Sequence, residues 1–202
     1  MEFSNWLLYA FAALGLALTP GPNGLLALTH GALYGPRRTL ATISGGVIGF
    51  GLVVGLSLFG IGALLQAAGG LLLILKWVGG AYLIFLGVQV WRSPPIGVLN
   101  EYKKPSGSFS LFSSGFLSAV SNPKGILFFV AFLPQFVDPD RSLFIQFLVM
   151  AGTFMVIEFF YELSVASLSG KIQPWLKKSG KNFNRFFGLV FMTIGVLLPL
   201  RG

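Results

Sequence analysis

Hydrophobic residues in this chain come in long runs separated by short polar clusters. Apolar stretches lie at about 5–34, 39–66, 70–91, 109–136, 143–169 and 182–200. At about 1.5 Å per helical residue, each is long enough to cross a hydrocarbon core of about 30 Å. The pattern predicts an all-α membrane protein with six transmembrane helices. Between the third and fourth runs lies "RSPPIGVLNEYKKPSGS", a long polar connection. Residues 1–202 therefore read as a single transmembrane domain: a first three-helix half at 1–92, a cytoplasmic linker at 93–108 and a second three-helix half at 109–202.

Three spans per half is an odd number, so tandem copies must lie in opposite orientations across the membrane. Faint copies are present: "GPNGLL" matches "NPKGIL", and "GPRRTL" matches "DPDRSL", in order and at similar offsets. The expected architecture is a 3+3 inverted repeat.

Helices 1 and 4 are each broken near the midplane, at "TPGPNG" and "SNPKG". Proline lacks an amide donor and blocks the carbonyl one turn earlier, so each break frees backbone groups. In bare lipid each such group costs several kcal/mol, so breaks survive only where protein or water receives them. Pro and Gly also kink packed helices without further purpose. Two breaks at corresponding depths, one beside Asn and the other beside Asn and Lys, point instead to a transporter's binding site. The expected substrate-binding residues are Gly21, Pro22 and Asn23 with Asn122, Pro123 and Lys124. Half-helix ends there suit a ligand with both an anionic and a cationic group.

Composition agrees with a membrane solvent: 54% of residues are hydrophobic, 10% are charged and the mean hydropathy is +0.80. The formal charge of +8 could suggest nucleic acid, but the basic residues gather in alternate connections. Arg37 and Arg38 follow helix 1, Arg92, Lys103 and Lys104 flank or lie in the linker, and Lys171, Lys177, Lys178 and Lys181 follow helix 5. Positive loops stay cytoplasmic, which puts both termini outside and gives the charge a role toward anionic lipid, with no nucleic-acid partner expected. Glu2 in place of a basic leader argues against a cleavable signal. With no cysteine, disulfides and thiolate metal sites are excluded.

Charged residues inside the spans are the remaining chemistry. Lys124 at mid-bilayer would cost about 2.5–3.5 kcal/mol if it faced lipid, so it is expected to face a cavity, an anion or a glutamate. Glu158 and Glu162 lie four apart, stacked on one face of helix 5, and are expected to handle protons or act as charge partners. The bland reading is that Glu162 is solvated near the cytoplasmic side while Glu158 pairs with Lys124 or Lys76. Lys76 and Arg185 sit near helix ends, where snorkelling is the default. His30, the sole histidine, reads as a packed residue. Gly45/Gly49 and Gly51/Gly55 form small-xxx-small spacings that suit either a homodimer or packing within the chain. Trp6, Trp77, Trp91 and Trp175 read as an aromatic belt.

Three stretches, "LTPGPNGLLAL", "LKWVGGAYLIFLGVQVWRS" and "GFLSAVSNPKGILFFVAFLPQFV", resemble the LysE/RhtB-type amino-acid exporters of prokaryotic membranes. The resemblance runs from the first span to the last. It implies a multi-pass protein of the cytoplasmic (inner) membrane that exports an amino acid or close derivative, coupled to the proton gradient. Carried over with it are Pro20, Gly21, Pro22 and Asn23; Lys76, Gly80 and Tyr82; and Asn122, Pro123 and Lys124. Many relatives have an acid after a glycine in span 2, where this chain has Phe50, which implies a less polar substrate.

The expected function is a secondary exporter working by alternating access, with an amino acid, the bilayer and protons or another coupling ion as partners. No cofactor or resident metal is expected. The competing readings are export of a hard cation on Glu158 and Glu162, which Lys124 opposes, and a membrane subunit without transport. An enzyme is not expected, because no HExxH, GxSxG or other nucleophile–base constellation occurs.

Overall fold

The computed structural model describes residues 1–19, 21–67, 71–92, 107–138 and 140–200. Among them the regular elements are all helical: α1 Phe3–Leu18, α2 Pro22–Ala67, α3 Leu71–Arg92, α4 Ser108–Val120, α5 Pro123–Phe132, a 3₁₀ turn Leu133–Gln135, α6 Leu143–Ser167 and α7 Ser169–Leu200. Helix occupies all six intervals expected from hydropathy, the first and fourth in two pieces each. α7 starts well ahead of the expected 182, because hydropathy registers the apolar part of a helix and passes over "SGKIQPWLKKSGK". Pro20 and all but residues 107 and 108 of the expected linker lie outside the described residues, as do the side chains of Lys76, Tyr82 and Pro123.

By length and apolarity, Pro22–Gly60 and Leu143–Ser167 can cross a membrane. Ser108–Val120 with Lys124–Gln135 would make a further span bent by 48°, and Phe3–Leu18 is a shorter apolar helix.

Helix α2 doubles back on itself. Gly35 has φ 77° and ψ 163°, a conformation open to glycine and strained for other residues. Pro36, with φ preset for helix, restarts the turn. Across the hairpin His30 Nδ1 meets Thr42 Oγ1 at 2.7 Å, so the limbs before and after Gly35 run antiparallel. The Thr39 hydroxyl donates to the Gly35 carbonyl at 2.8 Å and ties off the reversal.

Glycines decide which helices touch. A Cβ added at Gly45 would overlap the Phe112 carbonyl, and one at Gly115 would overlap the Thr42 carbonyl, so α2 and α4 pack backbone to backbone. One face of α2 thus takes α4 through Gly45 and Gly49, while Gly51 and Gly55 lie against Met155 and Phe147 of α6. Both small-residue spacings are filled by contacts within the chain. Gly87 and Gly188 do the same for α3 and α7, each added Cβ standing 2.6 Å from the other residue's carbonyl oxygen.

Beside this scaffold lies an aromatic core. Phe50, Phe128, Phe129, Phe132 and Phe154 are each no more than 3% exposed. Phe154 meets Phe50 at 5.3 Å and Phe129 at 4.8 Å edge-on, the geometry aromatic quadrupoles favour. Trp6, expected in an interfacial belt, also donates its indole N–H to Thr153 Oγ1 at 3.0 Å and so fastens α1 to α6.

Substituting Gly45→Val should force α2 off α4 at a cost of about 1–3 kcal/mol. Gly152→Ala, whose new methyl meets nothing within 4 Å, should stay within about 0.5 kcal/mol of the parent. Thermal unfolding of detergent-purified protein, read by size-exclusion recovery, separates the two.

Candidate functional site

The two breaks are built by related local rules. α1 stops at Leu18 because Thr19 precedes a proline, which disfavours helical backbone; Thr19 is extended, with φ −71° and ψ 122°. Its N–H and hydroxyl both return to the Gly15 carbonyl, at 3.1 and 2.7 Å. α4 ends the same way, with the Ser121 N–H and hydroxyl on the Leu117 carbonyl at 3.0 and 2.6 Å. Each following helix opens on a proline, Pro22 or Pro123, where no amide is wasted.

The asparagines differ. Asn122 is the N-cap of α5, its Oδ1 accepting from the Lys124 and Gly125 amides at 3.1 and 3.4 Å. Asn23 follows its proline, so its side chain is not spent on capping. It is buried and hydrogen-bonds Glu162.

Lys124 joins the breaks. Its Nζ donates to the Thr19 carbonyl at 2.7 Å and to the Leu16 carbonyl at 3.1 Å, across a separation of more than a hundred residues. The ammonium thus satisfies the bared carbonyl end of α1, where the helix dipole also favours a cation. Gly21 makes room for it, since a Cβ there would stand 3.0 Å from Nζ.

Around this contact is a polar hollow walled by Thr19, Gly21, Asn23, Asn122, Lys124, Glu158 and Tyr161, with Phe50 and Phe154 on its apolar side. About 280 Å³ of space lies between its atoms, of which about 10 Å³ is open to the centre of a water molecule. That is room for about one water, too little for an amino acid. Glu158 is 4% exposed, and its Oε2 has no hydrogen-bond partner. It attracts Lys124 electrostatically but does not close an ion pair with it; among the described residues the ion pair within 4.0 Å is Arg141–Asp138.

Of the residues expected from sequence, the structure gathers Gly21, Asn23, Asn122, Lys124 and Glu158 at one hollow. Pro22 does not line it and faces outward, shaping the helix start. Glu162, expected in the bland reading to be solvated, is 1% exposed and sits against Asn23 and Gly46. His30 is packed as expected. Sequence reasoning passed over Tyr161, whose hydroxyl would stand 2.7 Å from a Cβ at Gly24. Its signal was present: it lies three residues from Glu158 and one from Glu162. Among the described residues no three His, Cys, Asp or Glu side chains are grouped to hold a metal.

The hollow thus sets an ammonium and a carboxylate beside two interrupted helices inside an apolar helical chain. The chain belongs to the LysE type translocator family, whose family model matches residues 14–202. It is a membrane transport protein and not an enzyme. It is 33% identical over 200 residues to a homoserine/homoserine lactone efflux protein of Salmonella typhimurium and, again at 33%, to one of Salmonella typhi. Each match covers 98% of this chain and 97% of the relative. An uncharacterized membrane protein of Vibrio cholerae is 32% identical, with 98% of both chains covered. No solved structure matches the chain.

The Gly24–Tyr161 contact yields a double-mutant prediction. Gly24→Ala alone should cost about 1–3 kcal/mol by overpacking. Adding Tyr161→Phe removes the offending hydroxyl and should recover at least half of that loss, a coupling within the range for residues in contact. The unfolding midpoints of the four proteins measure it.

Proposed function

We propose that this protein is a secondary exporter of an amino acid or a close derivative bearing a free amino group. It acts in the cytoplasmic membrane of a prokaryote, is driven by the proton gradient, and works by alternating access between two inverted three-helix halves. The observation that carries the reading is the meeting of the two breaks. The Lys124 ammonium rests on the carbonyl end of α1, and the Glu158 carboxylate faces the same hollow. These are the two halves of a zwitterion's binding site, the ammonium already held by the protein and the carboxylate with one oxygen unpartnered.

In this reading the cargo's ammonium takes Glu158 and the α1 carbonyls, and its carboxylate takes the Lys124 ammonium thereby released. The relatives named for homoserine and homoserine lactone efflux lend support. The lactone keeps the amino group and has no carboxylate, so ammonium recognition is the feature both cargoes share. Phe50 and Phe154 give the apolar wall against which a short carbon chain lies.

The basic loops orient the carrier with both termini outside. Tyr9, Phe128, Phe132 and Phe136 then belong to the outer half and seal the exit. Tyr161, packed on Gly24, closes the inner side. Related breaks in α1/α2 and α4/α5, and the reciprocal Gly87–Gly188 contact, support the inverted repeat. A hard-cation exporter is disfavoured, because the hollow contains a fixed ammonium.

Counterflow in liposomes tests the assignment. Glu158→Gln should lower exchange of both homoserine and homoserine lactone by about tenfold or more, the value of one charge-assisted hydrogen bond. Lys124→Ala should lower homoserine exchange more than lactone exchange. Absence of counterflow by the parent across a broad panel of amino compounds would overturn the reading.

A further inference from the structure

One helical turn along α6 from Glu158 lies Glu162, an acid that the cargo reading leaves unused, beside Asn23 of the hollow's wall. Glu162 is 1% exposed and Asn23 is 4% exposed, and the two side chains are hydrogen-bonded to each other. Each nevertheless keeps a buried oxygen without a partner: Glu162 Oε2 and Asn23 Oδ1. Two orphan acceptors side by side in a dry interior are costly, and neither can satisfy the other. A single added hydrogen removes the conflict.

An amide suits that task because it offers both a donor and an acceptor. Toward a carboxylate, Asn23 presents its Nδ2–H. Toward a carboxylic acid it keeps that bond and also accepts the O–H on Oδ1. Space for the pair exists because residue 46 is glycine: a Cβ there would stand 2.7 Å from Asn23 Nδ2 and 3.4 Å from Glu162 Oε2. Asn23 also lies in the first turn of α2, directly after the break at Gly21 and Pro22. Its orientation is therefore tied to the half-helix that walls the hollow.

The charged and titratable groups around this pair can be named. Glu158 and Tyr161 lie on the same helix as Glu162, and Glu158 repels it. His30 lies two turns beyond Asn23 on the first limb of α2 and is held by Thr42. Lys124 of α5 reaches the pair through Glu158. The second limb of α2 presents Gly46 and Thr42, which do not titrate.

We infer that Glu162 and Asn23 form the ion-coupling site of the carrier, adjoining the cargo hollow through Asn23, with Glu162 carrying the proton and Asn23 reading its presence. A proton adds to the Glu162 carboxylate to give the acid, which donates to Asn23 Oδ1 while the Nδ2 hydrogen bond stays; release on the other side restores the carboxylate and leaves Oδ1 without its donor. This rests on the proton-coupled reading above, and it divides the two acids of α6 by task.

The test uses the full-length protein in liposomes with labelled homoserine. Glu162→Gln should keep exchange at equal pH within about threefold of the parent, while accumulation driven by a pH gradient, and the proton flux that accompanies it, fall by about tenfold or more. Asn23→Ala and Gly46→Ala should weaken the gradient-driven arm in the same direction. A readout independent of transport is the infrared difference spectrum on pH change, where a buried carboxylic-acid band should vanish in Glu162→Gln and shift in Asn23→Ala. If the parent moves no amino compound, the functional reading fails. If it accumulates homoserine with protons and Glu162→Gln does so equally well, the division of tasks is wrong. Equal loss of exchange and accumulation in well-folded Glu162→Gln also overturns it, as does drive by sodium in place of protons.

Discussion

The structure depends on one contact, the Lys124 ammonium against the carbonyl oxygens of Leu16 and Thr19. Each partner alone would be costly in this setting. Carbonyls released by a helix break have no water to turn to in an apolar interior, and a lysine at that depth carries a large desolvation cost. Together they offset each other and fix where the end of α1 meets the start of α5. Because α5 is capped by Asn122 one residue earlier, Lys124 is aimed by backbone geometry as well as by charge. Glu158, Asn23 and the aromatic wall take their places around that junction.

Much of this was legible in the chain. The helix breaks follow from the backbone rules of proline, and two interrupted apolar runs at related positions are a strong signal. The burial of Glu158 and the partial burial of Lys124 follow from their positions far from any predicted span end. The split between the asparagines was not legible. "PGPNG" and "SNPKG" align by their prolines, yet Asn122 precedes its proline and caps a helix, whereas Asn23 follows and is released to reach Glu162. A displacement of two residues, from one side of proline to the other, changes which backbone amides need a partner, and alignment by eye conceals it. The surroundings of Glu162 were hidden for another reason: they are set by Gly46, whose contribution is an absence of volume, and composition cannot distinguish that from flexibility.

The glycine contacts give the polar region a stiff frame. Helices that approach backbone to backbone at Gly45, Gly115, Gly87 and Gly188 leave little room for sliding along those lines. The seam between α1/α2 and α5/α6 is different. It is held by a lysine, a tyrosine, an amide and two acids, whose contacts can be exchanged for those of a bound molecule. In the proposed function, motion would be concentrated along this seam because its contacts have substitutes, while the glycine contacts have none.

That distinction bears on how tightly such a carrier binds. A zwitterion entering the hollow adds one charge of each sign to a site that already contains Lys124 and Glu158. The cargo's ammonium replaces the ammonium of Lys124 on the α1 carbonyls, and its carboxylate then satisfies the displaced lysine. Contacts are exchanged more than gained, so the net binding free energy is far smaller than the sum of the new hydrogen bonds. Modest affinity is what an exporter needs, since cargo held strongly in the hollow would not leave on the far side. A cargo lacking the carboxylate would leave the displaced lysine without a new anion, so the protein would discriminate between the two mainly through how readily Lys124 finds another partner near Glu158.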